Sequence, residues 1–276
     1  MKKILTSIFY LILITVIISI LALFYIYRIE PEWIEVKQIN ITLPHLDSEF
    51  QDLKLVQISD IHISDWMTKK RFEKIINLVN KQKPDFILIT GDFFTSNPKP
   101  FTELAIEKLS ELKPKEKTLG VLGNHDHWGN AELIREIIKK SNIIELANSV
   151  YIVKKNGAKL YIAGVDDWWV KKARLDLVLE QLPTNETAIL LVHEPDFADI
   201  SARTNRFDLE LSGHSHGGQV KIPFKRPPVL PPLGRKYPSG IYKIGQMLHY
   251  TNRGVGVVKP YVRFNCRPEI TVFNLS

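Results

Sequence analysis

Two short segments, Asp60-Ile61-His62 and His214-Ser215-His216, lie far apart in the chain and share one kind of chemistry. Between them come Gly91-Asp92, Gly123-Asn124-His125-Asp126 and His193. Carboxylate, amide oxygen and imidazole are hard or borderline donors that suit Mn, Fe, Zn or Co. A carboxylate among them can bridge two such ions and leave a position open for water or substrate. Five of the eight histidines fall inside these segments, so their clustering is not compositional noise. The single cysteine, Cys266, excludes an intrachain disulfide and a Cys-rich zinc module. No activating pattern surrounds it, so it reads as a packed thiol.

Such donors act together only if the fold delivers them to one place. Apolar runs Leu53 to Ile58, Phe86 to Thr90, Leu119 to Leu122, Ile189 to Val192 and Leu209 to Leu211 each end just before a donor segment. A further run, Leu160 to Val165, ends at Asp166. Short continuous apolar runs bounded by turn residues fit strands buried on both faces. Phe72, Ile75, Ile76 and Val79 are at helical spacing within Lys69 to Gln82, as are Leu133, Ile134, Ile137 and Ile138 within Ala131 to Lys140. Asn130 is placed to cap the second of these, and Arg174 to Leu182 reads as another helix. Ligands of open α/β sheets gather beyond the carboxyl ends of strands, where these donors fall. Six prolines between 223 and 240 predict a long irregular loop, placed to act as a lid.

Near the N-terminus, the 24 positions between Lys3 and Arg28 carry no charge. As a helix they span ~36 Å, enough for a ~30 Å hydrocarbon core with some tilt. The run is too long for the apolar part of a cleaved signal peptide. Residues 1–28 therefore read as a single-pass anchor in a cell membrane, 29–50 as a linker and 51–276 as the soluble domain. Lys2 and Lys3 precede the span while Glu30 and Glu32 follow Arg28, which favours a domain on the non-cytoplasmic side. Of the formal charge of +7, about +4 belongs to the part beyond the anchor. Lys and Arg are dispersed there, with no basic stripe between aromatic platforms, so a nucleic-acid partner is not expected.

Taken in order, D-x-H, G-D, G-N-H-D, a lone His and G-H-x-H closely resemble the signature of the calcineurin-like metallophosphoesterases. The N-terminal span, Gly164-Val165-Asp166-Asp167 and Gly213-His214-Ser215-His216-Gly217-Gly218-Gln219 look like that family's membrane-associated bacterial branch. The resemblance implies an α/β fold, a metallophosphoesterase-type β-sandwich flanked by helices, here with an N-terminal transmembrane helix. It implies two divalent metal ions: Asp60, His62 and His216 on one, Asn124, His193 and His214 on the other, and Asp92 bridging. His125 would be the catalytic residue that contacts phosphate and protonates the leaving oxygen. The implied reaction is hydrolysis of a phosphodiester or pyrophosphate by metal-bound hydroxide. With the lipid bilayer as a partner, a phosphorylated, lipid-linked substrate is favoured, UDP-2,3-diacylglucosamine being the leading specific candidate. A cell-envelope phosphodiesterase of other specificity and a non-catalytic tethered scaffold are the alternatives.

Other residues carry weaker expectations. Asp126 is placed to orient His125. Gly91, Gly123 and Gly213 precede donors where the chain must turn sharply. His45, His127 and His249 read as structural or surface histidines. Trp66, Trp128, Trp168 and Trp169 can wall a site or simply pack, and Arg253 reads as an ordinary turn arginine that could reach a phosphate.

Overall fold

Each apolar run marked as a strand is buried on both faces, Leu53 and Lys54 at the start of the first excepted, because two sheets pack against each other and helices cover their outer sides. The computed structural model describes residues 2–276. In the first sheet the order is β1 (Glu35–Ile41), β12 (Glu269–Leu275), β2 (Lys54–Ile58), β3 (Phe86–Thr90), β4 (Lys117–Val121) and β5 (Ile143–Glu145). In the second it is β10 (Gly240–Ile244), β11 (Met247–Thr251), β9 (Leu209–Ser212), β8 (Ala188–Leu191), β7 (Ala158–Gly164) and β6 (Ser149–Lys155). Strands β2 to β5 are mutually parallel, as are β7, β8, β9 and β11.

Leu55, Phe86, Leu88, Leu119 and Val121 meet Leu160, Ile162, Ile189, Leu191, Leu209 and Leu211 between the sheets. The alternate residues of the first sheet, among them Val56, Ile58, Ile87 and Ile89, face α2 (Lys69–Lys81), α3 (Thr102–Leu109) and α5 (Ala131–Lys140). Helix α1 (Lys2–Phe24) stands apart, and α4 (Asn124–Gly129) opens directly on a donor segment. Thr68 caps α2 and Asn130 caps α5, through the N–H groups of Arg71 and Leu133. Burial of Phe72, Ile75, Ile76 and Val79 holds α2 down, at roughly 1.5–3 kcal/mol per side chain. This is a mixed α/β two-sheet sandwich flanked by helices.

Two expectations need correction. The stretch 29–50 is not a free linker: β1 lies within it, parallel to β12, and Ile41, Leu43 and Phe50 are buried. Its partner comes from the far end of the chain, so no local pattern announces it. The helix expected over Arg174 to Leu182 is only one turn and a half, α6 (Leu175–Leu179).

Among the described residues one helix, running from Lys2 to Glu32 with a looser turn at Tyr25–Ile29, is long and apolar enough to cross a membrane. Its lower end is docked on the domain. Arg263 N–H donates to the Ile26 carbonyl (3.0 Å), and Cys266 N–H to Glu30 Oε1 (2.6 Å). Arg71 pairs with Glu32 at 2.7 Å, and the Arg267 guanidinium lies over the Trp33 ring.

Candidate metal centre

The seven candidate donors leave five different strands at one edge of the sandwich. Asp60 and His62 follow β2, Asp92 follows β3, Asn124 opens α4 after β4, His193 follows β8, and His214 and His216 follow β9. Asp60, His62 and His216 form one buried group, and Asp92, His193 and His214 a second; within each, the donor atoms lie inside 4.8 Å of one another. The Asp92 carboxylate sits between the groups. Its Oδ2 is 3.2 Å from His193 Nε2 and 3.5 Å from His62 Nε2. Asn124 and His125 line the same pocket, and His125 N–H donates to Asp92 Oδ1 at 3.0 Å.

Whether this cluster fits cations can be read from where the imidazole protons must be. His193 Nδ1 is 2.7 Å from the Thr90 carbonyl, which only accepts, so Nδ1 carries the proton. His214 Nε2 is likewise held by the Pro232 carbonyl at 2.8 Å. In the neutral rings, His193 Nε2 and His214 Nδ1 then turn lone pairs on each other at 3.2 Å, beside the Asp92 carboxylate. His62 Nε2 and His216 Nε2 face each other at 3.0 Å next to Asp60. Asn124 Oδ1 is buried without a hydrogen-bond partner. Lone pairs converging in a buried space are costly unless a positive charge lies among them. The donor set fits two divalent ions.

Burial lowers His62 to about 3 and His214 to about 4, which keeps both neutral and able to ligate. His193 differs: burial opposes its charge, but the Asp92 and Asp60 carboxylates outweigh that and hold it well above the usual imidazole range. A proton there occupies the place where a cation would neutralise the same carboxylates.

Five of the seven donors, Asp60, His62, Asp92, His214 and His216, have φ between 50° and 68°. Left-handed backbone in non-glycine residues costs of order 1 kcal/mol apiece. The fold carries that strain to point successive side chains into one spot, and ion binding would offset it. Stripping the protein with a chelator is expected to lower its unfolding free energy by about 4 kcal/mol for each ion removed, relative to ions held at a thousand times Kd. Differential scanning calorimetry with and without added Mn or Zn checks this.

Of the three glycines expected at sharp turns, only Gly91 takes a left-handed angle, φ 90°. Gly123 is extended, and a Cβ on it would overlap Asp92 Oδ1 and the His193 ring. A Cβ on Gly213 would overlap Ser59 Oγ and Asp60 Oδ2. These two positions are required by close approach, not by backbone angle. Gly91→Ala combines an unfavourable φ with collision against His193, so a loss of about 1–3 kcal/mol is expected in urea unfolding.

His125 is oriented differently from the expectation. Asp126 is not its partner: that carboxylate accepts the N–H groups of Phe93, Phe94 and Gly123 and ties the two loops together. Burial pushes the Asp126 carboxyl up to about 7, with Asp92 adding to the rise and those three N–H groups opposing it. His125 Nδ1 instead donates to the Thr95 carbonyl at 2.7 Å, leaving Nε2 as the nitrogen free to exchange a proton. Its ring stands edge-on to His62 and packs on Trp128. Thr95, Thr90 and Pro232 act through main-chain carbonyls, which no side-chain motif can advertise.

The remaining candidates sort by geometry. His45 meets Asp208, His127 meets Asp166, and His249 is buried against Glu210 and Thr251. Arg253 is engaged by Glu269 and by Glu35, so its guanidinium is not free for phosphate. Cys266 is buried, its thiol donating to the His216 carbonyl at 3.3 Å. Trp128 and Trp169 wall a cavity of about 360 Å³ that opens from the donors, whereas Trp168 packs on Phe197 and Trp66 on Tyr261. The proline-rich loop supplies Pro228, Val229 and Pro231 to the same wall.

Residues 53–218 match the family model for the calcineurin-like phosphoesterases. The uncharacterized metallophosphoesterase YkuE of Bacillus subtilis (strain 168) is 34% identical over 252 residues, covering 90% of this chain and 87% of that one. The phosphodiesterase YaeI of Escherichia coli (strain K12) is 30% identical over 258 residues, covering 91% and 92%. Among solved structures, the sulfate thiohydrolase SoxB of Thermus thermophilus superposes with a TM-score of 0.51 at 13% identity. That match covers 76% of this chain and 53% of SoxB, and it is a likeness of fold alone. Family match, relatives and donor clusters agree: the chain belongs to the calcineurin-like phosphoesterase family, and is a metal-dependent phosphoester hydrolase.

Proposed function

We propose that this protein is a membrane-anchored phosphodiesterase whose two divalent ions, drawn from Mn, Fe, Zn or Co, act on a lipid-linked phosphodiester or pyrophosphate. The observation that carries it is the Asp92 carboxylate placed between two His/Asp groups, as a bridging ligand must be. Asp60, His62 and His216 would hold one ion, Asn124, His193 and His214 the other. When bound, the pair supplies an activated water and charge to stabilise the phosphoryl oxygens.

The chain's own groups do the rest. Carbonyls of Thr90 and Pro232 fix the tautomers of His193 and His214, so that each presents its remaining nitrogen inward. The Thr95 carbonyl fixes His125, whose Nε2 hands a proton to the departing oxygen. Trp128 and Trp169 keep water from the apolar side of the pocket. Val220, Pro228, Val229, Pro231, Val258 and Val262 continue that apolar wall, which suits a substrate with a hydrocarbon part beside its phosphate.

Turnover of bis-p-nitrophenyl phosphate and of a panel of lipid pyrophosphates by the purified full chain, with each divalent ion in turn, tests the reading. Hydrolysis that persists unchanged in excess chelator would overturn it. The charge asymmetry about the span supports a domain on the non-cytoplasmic face. A C-terminal reporter active only in the cytoplasm would reverse that orientation. It would also make a cytoplasmic lipid precursor such as UDP-2,3-diacylglucosamine the first substrate to try.

A further inference from the structure

Between Glu210 and Glu269 the sequence contains ten Lys and Arg and no Asp or Glu. Several of these cations are already used: Arg253 and Arg263 inside the domain, Lys236 on Asp199, Lys221 on Ser239. Among the described residues, Lys225, Arg226 and Lys259 are exposed and have no carboxylate at ion-pair distance. Beside Lys225 stands Phe224, a fully exposed aromatic, with Ile222 and Val229 exposed at 43% and 74% on the same loop. Among the described residues nothing covers Phe224, and Ile222 and Val229 are covered only in part.

Their position says what does. The Ile26 carbonyl, at the end of the apolar helix, accepts from Arg263 N–H at 3.0 Å. The next residue, Phe264, pairs with Val220: Lys221 N–H donates to the Phe264 carbonyl (2.8 Å) and Phe264 N–H to the Gln219 carbonyl (2.9 Å). Phe224 follows Lys221 by three residues, a reach of at most ~10 Å. The loop thus springs from the spot where the apolar helix meets the domain. It then passes Pro228, Val229 and Pro231, which wall the pocket holding Asp92, Asn124, His125 and His214. An uncovered aromatic followed directly by two cations, at the foot of the apolar helix, matches the acyl–headgroup boundary, where apolar and positive groups are both accommodated.

We propose that Ile222–Val229 is a second membrane contact. Phe224 enters the acyl–headgroup boundary of an anionic bilayer, Lys225 and Arg226 meet lipid phosphates, and the mouth of the pocket is seated at the lipid surface. The proposal rests on the apolar helix spanning the membrane.

The test uses the full chain in nanodiscs of phosphatidylcholine, with and without phosphatidylglycerol. A nitroxide is placed at Phe224→Cys or, as the control, at Asn156→Cys. Cys266 is buried, so the label goes to the introduced thiol. Asn156 lies in the exposed turn leading into β7, at the opposite end of that strand from the metal centre. The label at 224 is expected to be open to oxygen and shielded from a water-soluble nickel chelate, and the label at 156 the reverse. Charge reversal by Lys225→Glu with Arg226→Glu, or omission of phosphatidylglycerol, is expected to move the 224 label outward. A 224 label as open to nickel as the 156 label, in protein that floats with lipid after a carbonate wash, overturns the loop contact and leaves the anchor standing. Protein that does not float overturns both.

Discussion

Asp92→Ala is expected to eliminate metal-dependent hydrolysis, with kcat/KM down by ~10³-fold or more, because several kcal/mol of charge stabilisation depend on both ions. Among the described residues, Asp92 is the carboxylate within 3.5 Å of one histidine from each donor group. Asp92 is placed to offset the repulsion that two neighbouring dications would feel, so without it bound metal should fall from two equivalents to one or fewer. The His125 N–H also loses its acceptor. Metal analysis and steady-state kinetics on protein whose far-UV circular dichroism is unchanged check the prediction. A variant that keeps two ions and full activity would show that Asp92 is only a buried structural carboxylate.

His125→Ala should separate proton transfer from metal binding. His125 bonds the Asp92 carboxylate through its backbone N–H, which alanine retains, while its ring, held by the Thr95 carbonyl, packs edge-on against His62 and belongs to neither donor group. Metal content should therefore stay at two. The loss in kcat should be about 10²–10⁴-fold for an alkyl phosphodiester, whose departing oxygen needs a proton. For a p-nitrophenyl ester, whose leaving group departs as the anion, the loss should be much smaller. Equal losses on both substrates would mean that the ring positions the phosphate instead of donating to the leaving group.

How far the sequence foretells these features depends on the range of the interaction. Strands β2, β3, β8 and β9 are legible because each is a short apolar run buried on both faces and stopped by a turn. The convergence of the seven candidate donors is legible for the same reason: each follows such a run, and parallel strands bring their carboxyl ends to one edge. Strand β1 is hidden, since its mixed polar and apolar residues need β12, over two hundred residues away, to make them a strand. The orientation of His125 is hidden too. A nearby aspartate is the visible partner, but Asp126 is consumed by three backbone N–H groups, and a main-chain carbonyl at Thr95 does the work. Arg253 illustrates the converse. Its sequence neighbourhood leaves it free, and only the fold brings Glu35 and Glu269 to it.

Inductively coupled plasma mass spectrometry of the purified chain, beside His216→Ala and His193→Ala, tests the two-ion centre most directly. The wild type is expected to carry two divalent ions per chain, and each variant to lose one, because the two histidines belong to different donor groups. A wild type that hydrolyses phosphodiesters with no bound metal, or variants that retain both ions, would contradict it.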